Sequence, residues 1–99
     1  MLNKNTILDF LKDHSQYLRS NFHIQKIGLI GSFARDEQRD TSDIDLLVEF
    51  EPGTEDIYDI KIRMKEYLRS NLQRDVEICR EKYLKPYVKD YLLKEVIYV

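Results

Sequence analysis

Cysteine is almost missing from this chain: Cys79 is the only one in 99 residues. No internal disulfide can form, which fits a cytoplasmic protein in a reducing compartment. No apolar run approaches the ~20 residues that a membrane-spanning helix needs, and no signal-peptide pattern opens the sequence. Charge of one sign is lacking as well. Sixteen Lys and Arg stand against 18 Asp and Glu, a formal net charge of −2. That balance argues against a general nucleic-acid binder, while leaving room for a local basic patch. His14 and His23 are isolated, with no second His or Cys at metal-ligand spacing, so each reads as a surface or boundary residue. No internal repeat or low-complexity stretch is visible.

What remains is 42% apolar and 34% charged, the composition of a globular chain, and its length suits one domain, residues 1–99, with a modest core. Thr6-Ile7-Leu8-Asp9 reads as an acidic capping box that opens a helix, with Ile7, Leu11 and Leu18 on one face and Phe10 beside them. Asn21, Phe22 and His23 read as a connection. Ile24 to Ile30 reads as a strand and Phe33 to Gln38 as a helix. Thr54 can cap a further helix whose apolar period, Ile57, Ile60, Met64 and Leu68, runs to about Asn71. Asp75 to Arg80 reads as a strand with Val76 and Ile78 on one face and Asp75, Glu77 and Cys79 on the other. Cys79 is then a small thiol at the edge of the core. Leu84 to Val99 is helical in pattern, with Pro86 tolerated in its first turn. Leu84, Val88, Leu92 and Val96 form one stripe and Tyr83, Tyr87 and Tyr91 a second. The tyrosines either complete the core or form a partner surface, since tyrosine is enriched at interfaces.

The stretch that carries chemistry is Gly31 to Phe50, GSFARDEQRDTSDIDLLVEF. A strand that enters a helix through Gly31-Ser32 can seat a phosphate: glycine lets the backbone approach, Ser32 offers a hydroxyl, and the first helical N–H groups are free. The same pair is also an ordinary turn. Arg35 and Arg39 lie four apart, on one face if the helix reaches that far; a solvated charged turn and a phosphate-binding role are both open. Thr41 and Ser42 shape the start of the next strand. Asp43-Ile44-Asp45 puts two acids on the same side of an extended backbone, about 7 Å apart at Cα, while Ile44, Leu46 and Val48 turn into a core. Carboxylates gathered beside a core call for a cation, and oxygen ligands suit Mg²⁺ or Mn²⁺.

GSFAR followed by SDIDLLV resembles the G-S-x-A-R…S-D-I-D-L-x-V signature of the DNA polymerase β-like nucleotidyltransferases. The length and the ending LKPYVKDYLLKEVIYV resemble the minimal branch of that superfamily, small antitoxins encoded beside HEPN-domain ribonuclease toxins. The likeness covers nearly the whole chain. It implies an α+β fold, a mixed β-sheet flanked by helices. It implies that Gly31 and Ser32, with Arg35 and Ser42 nearby, bind nucleotide, and that Asp43 and Asp45 bridge two Mg²⁺ ions. The third acid of the family falls on Glu77 in Val76-Glu77-Ile78-Cys79, where aspartate is usual. Asp36 is a second departure, since glycine commonly follows the arginine. The implied reaction is AMP transfer from ATP to a hydroxyl, a tyrosine, of the HEPN toxin, with pyrophosphate released; homo- or hetero-oligomers are compatible with it. A non-catalytic antitoxin that acts by binding, and a transferase for a small molecule or an RNA end, are the alternatives.

Overall fold

The computed structural model describes residues 2–99. Its centre is an antiparallel pair, β1 (Ile24–Ile30) and β2 (Ile44–Phe50), in a four-stranded mixed sheet. β3 (Val76–Arg80) lies parallel to β2 on one edge, and β4 (Ile97–Tyr98) lies antiparallel to β1 on the other. Around the sheet are α1 (Lys4–Asp13), α2 (Ser15–Phe22), the single turn α3 (Gly31–Ala34), α4 (Ile57–Leu72) and α5 (Pro86–Glu95). This is the expected α+β arrangement. The parallel β2–β3 pair requires a crossover, and α4 supplies it. No described helix is long and apolar enough to cross a membrane.

Strand alternation divides the sheet into two faces. Ile27 and Leu29, Ile44, Leu46, Val48 and Phe50, and Val76 and Ile78 join one core with Ile7, Leu11, Leu18, Phe22, Ile60, Met64 and Leu68 of the helices. Ile30 and Leu47 are also buried, but they alternate onto the opposite face, with Gly28, Asp45 and Glu77. Gly28 pairs with Tyr98, and a Cβ there would collide with Val96 and stand 2.9 Å from Tyr98 Cδ1. The missing side chain therefore lets the C-terminal segment lie against this second face.

Several local expectations give way to stronger competitors. The cap of the first helix is Asn3, not Thr6: Asn3 Oδ1 accepts from the Thr6 backbone N–H at 2.9 Å and from its hydroxyl at 3.0 Å. Phe22 ends α2 inside the core instead of forming a connection, and His23 follows it with a left-handed φ of 55°. His14 separates α1 from α2 and stacks on Phe10, its Nδ1 2.9 Å from the Phe10 carbonyl. Thr54 does not cap α4. Its hydroxyl donates to the Glu51 carbonyl at 2.6 Å within the turn, and the N-cap is Asp56, with φ 56°. The C-terminal segment is helical only to Glu95 and then extends into β4, because pairing with Gly28 and Leu29 satisfies its backbone better than a frayed last turn. Tyr83, Tyr87 and Tyr91 stay outside the core at 70%, 71% and 60% exposure, which settles the choice against core completion.

Candidate active site

The site forms where β1 ends and β2 begins. Ile30 faces Asp45 across the antiparallel pair, and Asp45 faces Glu77 across the parallel one. One row across the sheet thus carries Ile30, Asp45 and Glu77 on the second face. Asp43 precedes β2 and is exposed, and Asp45 is half-buried. Burial pushes the Asp45 carboxyl above the ordinary aspartate range, and Asp43 and Glu77 push it further; Arg35 pulls the other way. Burial, then Asp45 and Glu77, also raise the Cys79 thiol, which keeps it protonated and places it as the core-edge group expected.

Gly31 turns the chain at the head of this row. Its φ is +79°, in the region that side chains rarely adopt, and a Cβ would collide with Asp45 Oδ2 and stand 3.1 Å from the Cβ and Cγ of Asp45. The Gly-Ser turn is therefore pressed onto Asp45, the middle member of the row. Ser32 follows in α3, half-buried. The helix stops at Ala34, because Asp36 takes φ 58°; Arg35 and Arg39 accordingly share no helical face. This left-handed position gives a physical reason for the glycine that the resemblance expects there. Aspartate is among the few other residues that visit it, and Lys4 Nζ holds its carboxylate at 2.9 Å. Ser42 shapes the loop: its Oγ accepts from the Arg39 N–H at 2.8 Å, and its carbonyl accepts from Arg74 Nη1 at 2.8 Å.

Asp43, Asp75 and Glu77 line one cleft of about 400 Å³ between α4 and β3, shared with Ile62, Lys65 and Arg69. Arg69 pairs with Asp75 at 3.0 Å, while Lys65 approaches Glu77 only to 3.8 Å. Register brings Glu77 beside Asp45; Asp75 lies before β3, its carbonyl accepting from the Ile44 N–H at 2.9 Å. Among the described residues no three His, Cys, Asp or Glu side chains are gathered closely enough to cage a metal unaided. A pair of carboxylates completed by substrate oxygens is the arrangement Mg²⁺ ordinarily takes, so the donor chemistry of Asp43 and Asp45 fits that ion.

Sequence reasoning missed Glu95. The Gly31 N–H donates to its Oε2 at 2.6 Å, and Arg35 Nη1 donates to its Oε1 at 3.1 Å. Its side chain is only 11% exposed. No local pattern points to this role, since Glu95 sits in an amphipathic stretch whose apolar stripe continues past it.

The family model of the nucleotidyltransferase domain matches residues 11–99. The protein adenylyltransferase MntA of Thermococcus cleftensis is 34% identical over 99 residues, covering 100% of this chain and 98% of that one. A solved chain described as a candidate minimal nucleotidyltransferase superposes with a TM-score of 0.79 at 31% identity, over 97% of this chain and 95% of its own. At 21% identity, a likeness of fold alone, the chain superposes with a TM-score of 0.56 on the structure of tri-AMPylated Shewanella oneidensis HEPN toxin in complex with MNT antitoxin, over 97% of this chain and 67% of that one. With a family model reaching from the first helix to the last residue and a relative matched along its whole length, the suggestion carried by GSFAR and SDIDLLV holds: the chain belongs to the nucleotidyltransferase domain family, among its minimal nucleotidyltransferases.

Proposed function

We propose that this nucleotidyltransferase transfers AMP from ATP to a tyrosine hydroxyl of a cytoplasmic HEPN ribonuclease toxin and thereby acts as its antitoxin. The observation that carries the reading is the Gly31-Ser32 turn set directly on Asp45, in a row that continues to Glu77. Phosphate-binding N–H groups and carboxylates then meet at one point, as transfer of a nucleotidyl group requires. The adenylyltransferase relative supports AMP as the group moved, and the AMPylated toxin complex supports the partner.

Under this reading Gly31, Ser32 and Arg35 hold the β- and γ-phosphates, and Ser42 keeps the loop before Asp43 in place. Asp43 and Asp45 would hold two Mg²⁺ ions (or Mn²⁺), with Glu77 contributing on the acceptor side. Such bound ions neutralise the triphosphate and ease loss of the acceptor proton. The acceptor approaches through the cleft lined by Asp43, Asp75 and Glu77. Its oxygen attacks the α-phosphorus in line; the bond to the bridging oxygen breaks, pyrophosphate leaves, and Glu77 takes the hydroxyl proton. Burial of Asp45 keeps the reacting charges in a medium where they interact more strongly than in water.

The second reading, neutralisation by binding without transfer, draws on Glu77, which is exposed and longer by one methylene than the usual aspartate. Incubation of the protein with its partner toxin and ATP labelled at the α- or the γ-phosphate separates the two. Transfer predicts α-label on the toxin, no γ-label, and no incorporation with Asp43→Asn. A stable complex free of label supports the binder.

A further inference from the structure

The best-placed anion in this site belongs to the protein itself. Glu95 Oε2 accepts from the Gly31 N–H at 2.6 Å while Oε1 accepts from Arg35 at 3.1 Å. The carboxylate reaches them from 60 and 64 positions along the chain. It is held from both sides. The helix behind it is anchored by the Val96 N–H donating to the Leu92 carbonyl at 2.9 Å, and the strand ahead of it pairs Ile97 and Tyr98 with β1. Charge-assisted bonds of this kind are about twice as strong as neutral ones. Yet the carboxylate stands in a neighbourhood already rich in acids, and it contributes to the pressure on Asp45. A helix-end ion pair could have formed on any exposed lysine. This one sits on a backbone N–H and an arginine that a phosphate would use.

We propose that Glu95 is an internal anion of the nucleotide site: it occupies Gly31 and Arg35 until a triphosphate displaces it, and so sets both the affinity and the demand for a polyphosphate. The inference depends on the phosphate role given above to Gly31 and Arg35. One N–H and one guanidinium cannot serve two anions at full strength, and two anions side by side repel. The nucleotide therefore binds the fraction of molecules in which Glu95 has let go, and its apparent affinity falls by that fraction. A ligand with little charge gains nothing from the release, whereas a triphosphate replaces the lost bonds with several of its own.

Isothermal titration of the full chain tests this, with Mg-ATP, Mg-tripolyphosphate and adenosine as probes and with Glu95→Gln and Glu95→Ala beside wild type. Glutamine keeps the shape and one carbonyl oxygen to accept from the Gly31 N–H, while its NH₂ cannot accept from Arg35, so the charge and the Arg35 bond are lost together; thermal melts check that it folds even where alanine loosens the C-terminal segment. Expected is about tenfold tighter binding of ATP and tripolyphosphate in Glu95→Gln, near the ~1.4 kcal/mol that separates a charged from a neutral competitor, with adenosine unchanged. Equal or weaker polyphosphate binding in the glutamine variant overturns the inference and makes Glu95 a support for the turn, leaving the transfer reading intact. Adenosine tightening equally overturns it as well, because the cleft would then open generally. Absence of polyphosphate binding in every form overturns the phosphate role of Gly31 and Arg35 itself, and this inference with it.

Discussion

Replacement of Gly31 by alanine should damage the site through a single methyl group. Two costs add. At φ +79° an L-residue is strained, by about 1–2 kcal/mol. For a domain of this size that lowers the melting temperature by roughly 5–15 °C. The new Cβ also collides with Asp45 Oδ2 and sits 3.1 Å from the Cβ and Cγ of Asp45, where carbon atoms prefer about 3.5–4.0 Å. Asp45 must retreat by roughly 0.5–1 Å, and a shift of that size in a catalytic group can cost about 10²-fold in rate. Thermal melts followed by single-turnover transfer at a temperature where both forms are folded would separate the two effects. A folded Gly31→Ala protein that transfers AMP at the wild-type rate would refute the placement of Asp45 in the reaction. A protein with normal melting would refute the strain.

Other substitutions test the neighbouring assignments. Glu77→Gln should abolish transfer while Mg-ATP binding survives, and Asp75→Asn should have a much smaller effect, because register sets Glu77 beside Asp45 while Asp75 is paired with Arg69. The opposite ranking in a transfer assay would move the proton acceptor to Asp75. Tyr87→Ser with Tyr91→Ser should shift stability by no more than about 0.5–1 kcal/mol, as for exposed positions, yet weaken association with the toxin in size-exclusion chromatography. Loss of the folded protein would instead make these side chains structural.

The three longer strands and the acids between them were legible because their signals are local. KIGLI and LLVEF are short apolar runs bounded by polar turns, and DID repeats at the period of a strand. The α4 stripe was equally plain. What failed was decided by long-range contact or by single-residue conformation. Asp36 ends α3 by taking φ 58°, and nothing in RDEQRD distinguishes that from one more helical turn. Two residues of β4 contain no periodicity, and the stripe Leu84, Val88, Leu92, Val96 runs on as if the helix did. Glu95 gained its role only when that segment folded back onto Gly31. Resemblance chose between the two acids in Asp75-Val76-Glu77, a choice the residues alone left open, and the β2–β3 register sets the chosen Glu77 opposite Asp45.

Under the proposed function the carboxylates move AMP onto the toxin. The most direct measurement is the intact mass of the HEPN toxin after co-expression with the wild-type chain and, in parallel, with a folded Asp43→Asn, Asp45→Asn variant. Expected is a toxin heavier by one or more AMP units, mapped to tyrosine, with wild type and an unmodified toxin with the variant. An unmodified toxin in both, still held in a stable complex and still neutralised, would contradict it.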